Sequence, residues 1–169
     1  MAILSSLRLL LLALWLGAAL FFSVVVAPTS FAVLRSFQLP NASEIAGTIV
    51  SRSLGFINRS GFIVGLTLLI TLFFCRKAYG KALFLLELLS LTIVVVSTGV
   101  GQWIIASRML ALRAAMRLPI DQVTLDDPRR MAFNTLHAYS VTALGIAMIA
   151  ALVAFFAAFF AVGRRARLP

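Results

Sequence analysis

Four apolar runs, separated by short clusters of breakers and charges, set the pattern of this chain. The first runs from Leu9 to Val26 after a lone Arg8, and the second is strongest from Gly61 to Phe74. The third begins after Lys81 and stays apolar to about Ile105. The fourth, Val141 to Val162, is unbroken. Each comes close to the roughly 20 apolar residues that cross a bilayer as helix. The expected spans are about 7–27, 57–76, 82–105 and 138–162, within one domain over residues 1–169.

The breakers between the runs set the expected ends. Pro28 is expected to end the first helix, because proline lacks an N–H and disfavours helix in the residue before it. Thr29 to Gln38 then reads as a short interfacial segment. Asn41, with Glu44 three residues on, has the spacing of a capping box and predicts a second helix from about Ala42 to Lys77. Tyr79-Gly80 is the tight turn. The third helix is expected to continue through Arg108 to Arg117, among strong helix formers, and to stop at Pro119. Asp127-Pro128 reads as the N-cap and first residue of a fourth helix ending at Gly163. Helices two, three and four overshoot the bilayer on the same side. The predicted fold is all-α, an integral membrane four-helix bundle whose helices extend beyond the bilayer on one side as a collar.

Composition supports that class. Hydrophobic residues are 62% and charged residues 12%, with mean hydropathy +1.08, against about 45–50% and about 25% in soluble domains. The apolar core of the first run exceeds the roughly 7–15 residues of a signal peptide, so it reads as a membrane helix rather than a cleaved leader. The net charge of +10 lies in residues that flank apolar runs, the pattern of orientation signals and anionic-lipid contacts, and predicts no nucleic-acid partner. Arg8, Arg76, Lys77, Lys81, Arg164, Arg165 and Arg167 crowd the side of the termini. Eight arginines are spread over the collar with Glu44, Asp121, Asp126 and Asp127. Dense charges close to the membrane weigh more in orientation, so the termini are expected in the cytoplasm and the collar outside.

Few residues carry candidate chemistry. Glu87 lies inside the third run, where a carboxylate is costly unless it faces the bundle interior and finds partners. It reads either as a proton or cation site or as a structural carboxylate bonded to a nearby lysine or arginine. Gln102 leaves the same helix further out, either as a ligand group or as interhelical glue. His137 is the sole histidine and stands where the charged segment gives way to the fourth run. One histidine and one distant cysteine, Cys75, make a poor metal site, so no metal and no cofactor are expected. Asn134, His137 and Ser140 on the fourth helix, with Gln102 and Arg108 from the third and Phe31 after the first, are expected to converge in a polar pocket at the outer mouth. Gly61 and Gly65 form a GxxxG pair that permits close helix approach, and with it a homo-oligomer contact. No Ser/His/Asp set, phosphate-binding glycine loop or CxxC is present, and the protein is not expected to be an enzyme.

Several stretches resemble one family. Trp15-Leu16-Gly17, Phe21 and Pro28-Thr29-Ser30-Phe31 are similar to the start of the transmembrane protein 205-like family, called domain of unknown function 4149 in bacteria. Arg108-Met109-Leu110-Ala111-Leu112-Arg113 resembles its third-helix exit, with Ser107 where a proline usually stands. Phe133, Leu136, His137 and Ser140 resemble its fourth-helix entry. The resemblance implies a small multispan protein of a bacterial inner membrane without an established reaction. It adds Phe31, Arg108, Arg113, Phe133, His137 and Ser140 as positions to follow. The reading is a non-enzymatic membrane protein that binds or transports a small solute or lipid-like ligand at the outer mouth. A haem- or copper-associated redox protein and a structural or assembly factor stand as alternatives.

Overall fold

The computed structural model describes residues 2–76 and 79–165. Among them the chain forms four long helical rods and no strand. The first rod joins α1 (Ala2–Phe21) to α2 (Ala27–Ser36) through a π-helical segment, Phe22–Val26. The second is α3 (Ala42–Cys75). The third joins α4 (Lys81–Gly99) to α5 (Ala106–Met116) through a second π segment, Val100–Ile105. The fourth is α6 (Pro128–Arg165), which continues through Gly163, the expected end, to Arg165. Rod one packs against rods two and four, and rod three against the same two, so the rods run up and down around a square.

Each rod contains an apolar stretch long enough to cross a membrane, and no more than 39% of any such stretch is buried. Most of the apolar surface therefore faces outward, where water would penalise it and hydrocarbon would not. The protein is a multi-pass membrane bundle. Rod two, at 34 residues, is about 51 Å long at 1.5 Å per residue, against a hydrocarbon core of about 30 Å. The overhang is the collar.

Pro28 does not end the first helix, which continues to Ser36. The preceding π segment widens the ladder so that Ala27 N–H reaches Phe22 O, and the turn absorbs the proline instead of breaking at it. The residues expected to lie along the interface after Pro28 are thus helical as far as Ser36. The two π segments each begin about 19 residues in from the terminus-side ends of their rods, at one level of the bundle. The chain turns at Gln38, whose φ is 52°. Arg117, with φ 57°, closes α5 in the left-handed conformation. Tyr79-Gly80 and Asp127-Pro128 act as expected, whereas α5 ends at Met116, before Arg117 and Pro119. Asp127 Oδ1 accepts Arg129 N–H at 2.8 Å and caps α6.

Asn41 precedes α3 without a side-chain cap bond. The N–H of Glu44 is taken instead by Asp121 Oδ2 at 3.1 Å, from a loop 77 residues away.

The bundle interior is tightly packed. Ala147, Ala151, Ala154, Ala158 and Ala161 of α6 are all buried, a stripe of small side chains that lets the helix sit close to its neighbours. Gly61 and Gly65 are buried within the chain's own bundle. A Cβ on Gly61 would lie 2.6 Å from the Trp15 ring, and one on Gly65 2.8 Å from Val95 Cγ2. The close approach these glycines allow is used inside the chain, and the surface expected for a homo-oligomer contact is not open there. Lys77 and Arg167, and the side chains of Arg164 and Arg165, lie outside the described residues.

Candidate functional site

The expected pocket residues sit at the collar end but do not converge. His137 and Asn134 are exposed, whereas Ser140 is buried. Steps of three residues drift by about 60° around a helix, so Asn134 and Ser140 differ by about 120°. His137 makes no hydrogen bond or ion pair among the described residues. Phe133 is half-buried. Phe31 packs against the core with Arg35 over its ring, 5.7 Å from the centroid. Gln102 is half-buried and ties rod three to rod two. In the orientation that satisfies both partners it donates to Gly55 O and accepts from Arg59 Nε, each at 3.2 Å.

Arg113 builds the collar. Its Nε donates to Glu44 Oε1 at 2.9 Å, and a second nitrogen pairs with Oε2. Glu44 Oε2 also accepts Ile120 N–H at 3.2 Å, while Arg113 donates to Leu118 O at 3.0 Å. One fork-shaped pair thus fixes the start of α3, the end of α5 and the loop beyond it. Arg129 pairs with Asp127 and donates to Ala115 O at 2.7 Å. The guanidinium of Arg129 holds the Asp127 carboxyl down at about 2.

Arg108 is different. It is exposed and forms no hydrogen bond or ion pair with another described residue. It stands at a groove of about 600 Å³ between α5 and α6, whose other walls are Ala111, Leu112, Ala132, Thr135 and Leu136. The Thr135 hydroxyl is occupied by Met131 O at 3.1 Å. The groove is therefore an apolar slot with one free guanidinium. Of the expected pocket residues only Arg108 lines it.

A second polar cluster lies at the opposite end, deep in the bundle. Glu87 is 0% exposed and Arg8 2%, and they pair at 2.5 Å. Arg8 also donates to Leu68 O at 2.7 Å and to Thr71 Oγ1. The pair joins rods one and three, which face each other across the square, and Arg8 anchors to rod two on the way. Glu87 Oε2 and Arg8 Nε are buried without a hydrogen-bond partner. The half-buried Tyr79 stands against Glu87. Burial first, and then the Glu87 charge, hold its hydroxyl proton far more tightly than usual. Arg8 and Tyr79 went unread as site residues in the sequence. A depth match could have found Arg8: it lies about five residues from the terminus-side end of its rod, and Glu87 about six from the end of its own.

No group of three His, Cys, Asp or Glu side chains gathers to hold a metal among the described residues. The family model described as a domain of unknown function (DUF4149) matches residues 10–117.

The chain belongs to this family of unknown function. The matched region takes in Phe31, Glu87, Gln102, Arg108 and Arg113. It stops before α6, so it does not reach Phe133, His137 or Ser140. No curated protein and no solved structure matches the chain.

Proposed function

We propose that this protein is a non-enzymatic component of a bacterial inner membrane, with both termini cytoplasmic, that binds a lipid-like anionic ligand at the outer mouth of its bundle. The observation that supports this reading is the α5–α6 groove: a slot of about 600 Å³ with apolar walls and the unpaired Arg108. That volume lies within the roughly 300–1,000 Å³ of ligand sites, and one charged group among apolar walls is their usual chemistry. A guanidinium takes a phosphate or carboxylate head through paired N–H donors, while Ala111, Leu112, Ala132 and Leu136 offer surface to an acyl chain. The half-buried Glu44–Arg113 pair ties the α5 wall to the start of α3, Arg129 of α6 donates to Ala115 O of α5, and Arg108 is left free to bind.

Native mass spectrometry with phosphatidylglycerol and phosphatidylcholine tests the proposal. The wild type retains the anionic lipid in preference. Arg108→Ala loses about tenfold or more in retention, in line with about 1.5–3 kcal/mol for a hydrogen bond to a charged group. Equal retention of both lipids, or an unchanged Arg108→Ala protein, would contradict it.

A further inference from the structure

The Arg8–Glu87 cluster is far from the groove and belongs to no step of ligand binding. A buried ion pair usually keeps its lone pairs and donors bonded, because an unpaired polar atom in a dry interior costs free energy. Here one carboxylate oxygen and one guanidinium N–H lack a partner at full hydrogen-bond geometry, and the Tyr79 hydroxyl stands close to the same carboxylate. The carboxylate oxygen is not sealed on every side. Tyr79 lies in the turn between α3 and α4, half-buried, with one side to the medium and its hydroxyl toward Glu87. Among the described residues the other neighbours bring no second carboxylate. Rod one brings Arg8 and the buried Ser5, and rod two brings Thr71 and the buried Cys75. The buried face of α6 at this end is Ala154, Ala157, Ala158 and Ala161. Beyond the cluster, Leu12, Leu68, Leu72, Leu91 and Val94 are buried and apolar, with the buried hydroxyl of Ser90 among them one turn along α4 from Glu87.

We propose that Glu87 Oε2 is a proton-binding site loaded from the terminus side through the hydroxyl of Tyr79. The transfer balances as a two-proton relay that adds one proton net. In one concerted relay a hydronium on the terminus side gives a proton to the phenol oxygen as the Tyr79 O–H proton passes to Oε2, which makes Glu87 a carboxylic acid, leaves water behind and forms no phenolate. The cluster gains one positive charge, which rests on Arg8, and Tyr79 is restored. The mostly apolar packing beyond the cluster favours entry and exit by the same door, so that the cluster senses or stores protons rather than conducting them.

Infrared difference spectroscopy of the full-length protein in lipid, stepped from about pH 9 to about pH 5, reads the carboxylic acid directly. The expected result is an acid C=O band in the wild type that Glu87→Gln removes, while bands from the collar acids remain. Tyr79→Phe keeps the band but slows its appearance after a pH jump by about a hundredfold, the low end for losing a positioned proton-transfer group. No band lost in Glu87→Gln overturns the site. A band that forms at the wild-type rate in Tyr79→Phe overturns the route. If Glu87→Gln fails to insert, Glu87→Asp carries the test, since its band must shift in frequency if this carboxyl is the one observed. An Asp variant whose spectrum matches the wild type refutes the proposal.

Discussion

Replacing Arg8 with methionine removes one member of a fully buried ion pair and leaves Glu87 with no counter-charge. At 2.5 Å two unit charges attract by about 332/(20 × 2.5), or about 6–7 kcal/mol, at an effective dielectric constant of about 20. Desolvation of the two ions removes several kcal/mol each, so the intact pair comes out near break-even. Breaking it is not neutral. The cost of an unpaired carboxylate is limited by the alternative of protonating it. From a reference carboxyl near 4.3, that limit is about 1.36 × (7 − 4.3), or about 3.7 kcal/mol at pH 7 and about 1 kcal/mol at pH 5. Arg8→Met is therefore expected to destabilise by about 3–4 kcal/mol at pH 7 and much less at pH 5. The double change Arg8→Met with Glu87→Leu is expected to recover most of the loss, because it leaves no buried charge. Detergent-titrated unfolding of the two single variants and the double closes the cycle. Alkylation of the buried Cys75 follows local opening beside the cluster. Single variants that each cost under about 1 kcal/mol and simply add in the double would refute the reasoning.

Gly61→Ala places a methyl group 2.6 Å from the Trp15 indole, which is held by its own bond to Ile57 O at 3.0 Å. It is expected to cost about 1–3 kcal/mol of overpacking in the same unfolding assay, and a neutral result would mean that rods one and two sit further apart. The Asp127 cap has a folded pKa of about 2, lowered from 3.8 by Arg129. Its contribution is therefore full above about pH 4 and is lost as pH falls through about 2. Hydrogen exchange of the first turn of α6 should stay protected to about pH 3, and loss of protection near pH 5 would contradict the cap. Reporter fusions after Gly163 and within the loop from Ile120 to Asp126 should read cytoplasmic and external respectively, and a cytoplasmic loop reverses the proposed orientation.

The breakers Tyr79-Gly80, Pro119 and Asp127-Pro128 made the rods legible from sequence, since each acts on its own neighbours. Pro28 misled because its cost is local but its remedy, a π turn five residues long, leaves no fixed signature. Asn41 misled because the competing acceptor, Asp121, is remote in the chain and near only in the fold. His137 misled for another reason. The fourth run is apolar all round, so periodicity cannot tell which face turns inward, and the buried face proved to be the alanine stripe. Glu87 was legible as a buried carboxylate because hydrocarbon forces that outcome. Its partner was not, because Arg8 looked like one more basic flank.

A structure of the protein in nanodiscs containing phosphatidylglycerol tests the account most directly. A lipid head group is expected within hydrogen-bond distance of Arg108, on the leaflet away from the termini, with its chain lying between α5 and α6. A groove filled by protein, or empty with Arg108 turned to bulk water in the presence of that lipid, would contradict it.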